Sequence, residues 1–425
     1  MLWSRDVTRI NLMRTTALGC CTLAVAGLLA CSSTPPAPPP TVEQLASALA
    51  RDSIIVDTHI DVPIRVAMSG DDVTQATSGG TFDYPRARAG GLDVAFMSIF
   101  IPASIDESGG GRAFADKLID EVDDIVQRAP TEFALATCVA DVRRNVAAGR
   151  ISLPMGMENG GPFGAGDDAP AHFYARGIRY VTLAHAKSNA FSDSSYDKER
   201  RWGGLSPAGR DLVKQLNDLG IMVDVSHISD AAFWKVIATS AAPVIASHSA
   251  ARHFVPDFER DISDEMIHAL AAHGGVVQVN FGSSFVTPTA RAWADAFDAA
   301  AKAYQEQQHI APESDAAKAF AKSYRDDHPF PYATVEDVVD HIDHIAKLVG
   351  VDHVGLGSDF DGVGDTLPDG LKDASMYPNL IAGLLKRGYT PQQIKLVLGE
   401  NLLRVWSAVE ALARHRGSHV QCVGR

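Results

Sequence analysis

Eight short apolar runs recur along the 425 residues, with helical or loop-like material between them. They fall at 54–61, 92–101, 151–158, 178–184, 222–226, 244–247, 276–280 and 353–358. The first opens Ile54-Ile55-Val56, a β-branched start that reads as a strand buried on both faces. The stretch 113–128 carries spaced apolar residues, and 207–220 starts after Ser206 and stops at Gly220, a helix start and stop. Strands alternating with helices imply parallel βα units, and eight of them predict a (β/α)8 TIM-type barrel. After the seventh run a longer insert lies between residues 283 and 333. Its stretches 291–306 and 314–324, rich in Ala, Lys and Gln, read as a helical insert that covers or flanks the mouth.

The first 30 residues stand apart from this pattern. Arg5, Arg9 and Arg14 form a basic start, and 17–30 is an apolar segment too short to span a bilayer comfortably. It ends in Leu28-Leu29-Ala30-Cys31-Ser32, which resembles a bacterial lipobox with Cys31 as the acylated residue. An ordinary secretory signal with an incidental cysteine is the competing reading. The small residue before Cys31 and the Pro-rich stretch after it favour the lipid anchor. Ser32 after the cysteine resembles the outer-membrane sorting pattern, which predicts an exported protein held in the envelope and facing the periplasm. Residues 31–40 form a semi-rigid tether. The barrel is expected over 41–412, with a tail at 413–425.

Removing the leader changes the formal charge from −14 to about −16. So acidic a chain argues against nucleic acid as a partner. Cys138 and Cys422 remain after processing; one pair so far apart is no disulfide scaffold, and their redox state stays open.

Six of the eight runs end in a polar residue that can carry chemistry. His59 and Asp61 close the first, Glu158 the third, His185 the fourth, His227 the fifth, His248 the sixth and Asp359 the eighth. All sit at carboxyl ends, the face on which barrel enzymes keep their chemistry. Any one of these is an ordinary loop or core residue taken alone. Seven in corresponding places are not explained that way. Three His and two carboxylates suit two divalent ions, and a carboxylate such as Glu158 can give one oxygen to each. One more His and one more Asp remain for proton transfer and oxyanion stabilisation. No Cys-His or Ser-His nucleophile pattern matches, and His-Glu-x-x-His is absent.

In order and combination these motifs resemble the membrane (renal-type) dipeptidase family of zinc peptidases. The likeness runs from about Ser53 to Ser407. It rests on Asp57-Thr58-His59-Ile60-Asp61, Glu158-Asn159-Gly160, Thr182-Leu183-Ala184-His185, Ser226-His227, Ser247-His248-Ser249 and Gly357-Ser358-Asp359-Phe360-Asp361-Gly362. The resemblance implies two Zn2+ per chain. His59 and Asp61 bind one, His227 and His248 the other, and Glu158 bridges them. It makes His185 face the scissile carbonyl, Asp359 the acid/base and Arg260 the receiver of the substrate carboxylate. It further implies dipeptide hydrolysis by a metal-bridging hydroxide, tolerance of a C-terminal D-residue, and room for a homodimer. Two departures stand out. Asp261 follows the arginine where the family often has Asn, and 280–285 lacks the tyrosine of the animal enzymes. Another amide or lactone hydrolase on the same site, and a catalytically silent binding lipoprotein, are the alternatives.

Overall fold

The computed structural model describes residues 39–423 apart from 165, 167 and 421. The expected signal segment, Cys31 and most of the tether lie outside the described residues. The strands are β1 (Ile55–Ile60), β2 (Leu92–Phe100), β3 (Phe133–Leu135), β4 (Ile151–Leu153), β5 (Met155–Glu158), β6 (Ile178–Thr182), β7 (Met222–Asp224), β8 (Ile245–Ser249), β9 (Val276–Val279) and β10 (Val354–Leu356). Their order is β1-β10-β9-β8-β7-β6-β5-β2, and the pairing of β1 with β2 closes the ring. Eight parallel strands thus form the barrel, wrapped by helices.

The third apolar run differs from expectation in one respect. Pro154 lacks an N–H and divides it into β4 and β5. Both halves pair with β2 in one register, Val94 opposite Ser152 and Met97 opposite Met155. The half before the proline also pairs with β3 outside the ring, whereas β5 pairs with β6. A three-residue strand such as β3 is too short to show a period in sequence.

The helix Pro207–Leu219 begins and ends as the sequence predicts. The Ser206 hydroxyl accepts from the Gly209 N–H at 2.9 Å, and Gly220 takes φ 84°. The insert forms helices Pro288–Gln308 and Asp315–Asp327, in which only Ala290 and Ala317 are buried. They add little to the core, and Arg291 of the first lies over the ring of Phe258, 4.7 Å from its centroid. The last helix, Asn401–His415, closes the end at which the strands start. Its Trp406 packs with Val56, Phe96 and Tyr180, its ring centroid 5.4 Å from that of Phe96. Cys138 and Cys422 are joined in a disulfide with Cα atoms 5.3 Å apart. The Val423 N–H donates to Asp141 at 2.9 Å, so the disulfide and this bond fasten the chain end to the helix Val139–Ala147. Among the described residues no helix is long and apolar enough to cross a membrane.

Candidate metal centre

The site begins at β1, where His59 is fully buried with its Nε2 facing two carboxylates. Asp61 Oδ2 lies 3.5 Å away and Glu158 Oε2 3.4 Å away. The other oxygen of Glu158 faces a second group: Oε1 is 3.1 Å from His227 Nε2, 3.3 Å from His248 Nε2 and 3.5 Å from His185 Nε2. Glu158 therefore stands between two sets of donors and turns one oxygen to each. Asp359 completes the first set with His59 and Asp61. The strand ends bring together all seven residues that the sequence singled out there.

The local backbone is built for this convergence. Asp359 N–H donates to His59 O at 3.1 Å and Asp61 N–H to Phe360 O at 2.8 Å, which extends the β1–β10 pairing into the site. His227 and Asp359 adopt φ of 67° and 64°, the left-handed region that side chains other than glycine rarely occupy. Such strain costs about 1–3 kcal/mol per residue and collects at functional sites. Gly362 is there of necessity: a Cβ would lie 2.2 Å from Asp359 Oδ1 and 2.3 Å from Asp61 Oδ2.

Electrostatics fit cations between these groups. Asp61, Glu158 and Asp359 are buried carboxylates, with one buried guanidinium, Arg260, nearby. Buried charge without compensation costs several kcal/mol per ion. Burial pushes the Glu158 carboxyl up, but His59, His185, His227 and His248 outweigh it and hold it well below the usual range. Burial opposes a proton on His59, yet Tyr180, Glu158 and Asp61 raise it well above the ordinary imidazole. This pocket thus favours positive charge at His59 Nε2, and that nitrogen has no hydrogen-bond partner. His227 and His248 are pushed the other way, by burial and by Arg260, and remain neutral imidazoles with a lone pair to give. The donor set therefore fits bound metal: His59 faces one oxygen of Glu158, with Asp61 and Asp359 beside it, and His185, His227 and His248 face the other.

Residues that the sequence did not single out set the orientation of these donors. Tyr180 places its hydroxyl 2.7 Å from His59 Nδ1. Its ring fits because β5 carries Gly156, where a Cβ would come within 1.9 Å of it. Asp224, fully buried on β7, accepts from the N–H groups of Ser226 and Ser247 through Oδ1, at 3.0 and 2.7 Å. Its Oδ2 accepts from the hydroxyls of Thr182 and Ser247, at 2.5 and 2.6 Å. With its proton given to Asp224, Ser247 Oγ accepts from His248 Nδ1 at 2.8 Å. This network assigns the proton to Nδ1 and leaves Nε2 free for a metal. A carboxylate in the apolar run Met222-Val223-Asp224-Val225 was the available signal, since burial there is costly without partners. Asn280 Nδ2 donates to Asp359 Oδ2 at 2.8 Å. Burial first, then Asp61 and Glu158, push the Asp359 carboxyl up to about 6 against the opposing pull of His59 and Asn280.

The sets open into a cavity of about 540 Å³ whose walls include Ile64, Phe100, Tyr196, Phe285 and Val363. His185 is the most accessible imidazole, its side chain 22% exposed against 6% for His227 and 1% for His248. Arg260 is buried behind this wall. Its Nη1 donates to Ser249 Oγ at 2.8 Å, and its Nη2 donates to His248 O at 2.7 Å and lies 3.0 Å from His227 Nε2. Its Nε has no partner. Asp261 forms no ion pair with it and instead accepts from the Ala250 N–H at 3.3 Å.

Known proteins resemble this chain in sequence and in fold. The sequence pattern of the membrane dipeptidase family (Peptidase family M19) matches residues 43–419. A Schizosaccharomyces pombe protein named as an uncharacterized dipeptidase is 31% identical over 374 residues, spanning 84% of this chain and 81% of its own. The crystal structure of the probable dipeptidase PvdM from Pseudomonas aeruginosa superposes with a TM-score of 0.76 at 30% identity, covering 88% of this chain and 99% of that one. A Rhodobacter sphaeroides metallopeptidase liganded with a phosphinate mimic of the dipeptide L-Ala-D-Ala gives a TM-score of 0.68 at 25% identity, covering 84% and 100%. With the family pattern spanning most of its length, the chain belongs to the membrane dipeptidase family of metallopeptidases, peptidase family M19.

Proposed function

We propose that this dipeptidase is a dinuclear zinc enzyme that cleaves dipeptides with a free carboxylate and accepts a D-residue at the C-terminal position. The observation that carries the reading is Glu158, whose two oxygens face two separate donor sets. Zinc held by His59, Asp61, Glu158, His227 and His248 would supply Lewis acidity, activating water as the nucleophile and polarising the substrate carbonyl. The remaining work falls to side chains. Asn280 holds one oxygen of Asp359, and the other is left to take the proton of the attacking water and return it to the leaving amine. His185, on the exposed side of the cluster, hydrogen-bonds the carbonyl oxygen as charge develops there. Arg260 receives the carboxylate, a task that suits a planar guanidinium with an unused Nε. The L-Ala-D-Ala mimic in the Rhodobacter sphaeroides neighbour supports D-residue tolerance.

The reading includes export and attachment through an acylated Cys31, in the envelope and facing the periplasm. The Cys138–Cys422 disulfide supports it, because such bonds persist in oxidising compartments. Fractionation of cells carrying the chain or its Cys31→Ala variant tests the anchor; equal solubility without acylation of either removes it.

The enzymatic reading is tested on zinc-loaded protein with L,L- and L,D-dipeptides, their C-terminal amides, and simple amides and lactones. Two ions per chain and selective cleavage of the free dipeptides are expected. Full activity with one ion defeats the bridging role of Glu158. Equal turnover of amidated analogues defeats the carboxylate role of Arg260, and a preference for lactones favours the other hydrolase reading.

A further inference from the structure

A second group of metal-ligating side chains converges away from the cavity. His253 comes from the loop after β8, Asp264 is the first residue of the helix Asp264–Ala272, and His344 projects from the helix Val335–Val349. One ligand atom from each lies within 4.8 Å of the other two. His344 Nε2 is 2.8 Å from Asp264 Oδ1. The imidazole of His253 stacks on that of His344, with ring centroids 4.3 Å apart and planes 19° apart. None of the three lines the cavity.

We propose that His253, Asp264 and His344 form a separate site for one borderline divalent cation, zinc by preference. Two imidazoles and one carboxylate are a common three-ligand set for zinc, and they leave a fourth position to water. The competing explanation is a simple His344–Asp264 pair with His253 as a bystander. Stacking argues against it. The stack holds the His253 ring face to face with His344 and beside Asp264, so a third ligand stands where a simple pair needs none. His253 is exposed, so its ring has solvent-side room to bring a nitrogen toward the other two ligands. The other two ligands are held in place. One turn earlier on the same helix, His341 accepts from the Ala251 N–H at 3.0 Å and lies 3.0 Å from Val286 O, which docks that helix against the loop. Ser263 caps the helix that bears Asp264.

The site has a structural consequence. His253 and Asp264 bracket the segment that carries Arg260, and His344 lies on a different helix. A bound ion therefore clamps the flanks of that segment to the helix Val335–Val349, without touching the barrel's donors.

The test uses the full chain already loaded with its barrel ions. Zinc is titrated in by calorimetry, and Co2+ is followed in parallel by its visible absorption. One further ion is expected to bind, with a rise in Tm. Both effects should vanish in His253→Ala and in His344→Ala, and Asp264→Asn should weaken them. Basal dipeptide turnover and the barrel ions should remain in all three variants. Absence of further saturable uptake overturns the proposal, and so does a further ion that persists in the His253→Ala/His344→Ala double variant. Neither outcome bears on the barrel centre, whose ions are counted separately.

Discussion

Replacing Asp224 by Asn should weaken metal binding at a residue that touches no metal. Oδ1 of Asp224 accepts from two backbone N–H groups, those of Ser226 and Ser247. An asparagine must keep its oxygen there, because an amide N–H facing two N–H donors repels them. Its NH2 is then forced toward the hydroxyls of Thr182 and Ser247, which have been donating to Oδ2. Ser247 becomes an acceptor for that amide and turns its own proton to His248 Nδ1, 2.8 Å away. The imidazole answers by moving its proton to Nε2, the nitrogen aimed at Glu158. Loss of such an outer partner typically costs about 10–100-fold in metal affinity, or about 1.4–2.7 kcal/mol. The loss should fall on the ion beside His227 and His248. Zinc affinity measured by competition with a chelator reads it directly, and circular dichroism confirms the fold. Ser247→Ala should weaken the same ion, since it leaves His248 Nδ1–H without a partner. An Asp224→Asn protein that binds both ions with unchanged affinity would refute the tautomer argument.

Three other outcomes follow from buried contacts. His341 has its pKa lowered to about 4, chiefly by burial, from an ordinary 6.5. The unfolded chain therefore binds the extra proton between those values, and stability should fall by up to about 3 kcal/mol as pH drops from 6.5 to 4. His341→Asn keeps an acceptor for Ala251 and should flatten that part of a denaturant-derived stability profile. Gly156→Ala should cost roughly 1–3 kcal/mol or more by overpacking against Tyr180, and it should also loosen metal binding by shifting the partner of His59; a melting curve with metal analysis separates the two. Cys422→Ser should lower stability by about 2–5 kcal/mol if the disulfide acts in the usual range, and adding a reductant should reproduce the loss in the wild type but not in the variant.

The barrel was legible because parallel strands buried on both faces are largely apolar, and eight largely apolar runs alternate with helical stretches. The candidate donors were legible because His59, Glu158, His227 and the others each follow directly on such a run. What stayed hidden depends on partners far away in sequence. Nothing near Tyr180 indicates that its hydroxyl meets His59, and Ser247 reads as a small strand residue until Asp224 is placed beside it. Asp224 and Asn280 were visible as polar residues in apolar surroundings, but their roles depend on which carboxylate or hydroxyl faces them. The Cys138–Cys422 pairing spans 284 residues. Loop closure varies only slowly with such lengths, so spacing carries no information about it. The break at Pro154 was readable from the missing N–H; the strand β3 that profits from it was too short to be seen.

Asp261 illustrates how burial changes the meaning of a substitution. Beside a carboxylate-binding arginine an acidic residue looks harmful. Yet burial pushes the Asp261 carboxyl up to about 7, against the lowering effects of Arg260, the Ala250 N–H, Arg252 and Arg291. Near neutral pH much of its charge is therefore absent, and Arg260 keeps its positive field. The proton is held more tightly in the folded chain than in the unfolded one, where the ordinary value is 3.8. Stability contributed by this group is thus present below 3.8 and lost as pH rises toward 7. The same ionisation should weaken carboxylate binding by Arg260, so KM for dipeptides should climb above pH 7 while KM for their C-terminal amides does not. Asp261→Asn should remove both trends, giving a flatter KM profile at high pH and a flatter stability profile between 3.8 and 7. If the stability profile flattens but KM still climbs, the substrate carboxylate is not held by Arg260. If neither profile changes, Asp261 is ionised at neutral pH and the buried acid has found a partner other than the amide of Ala250.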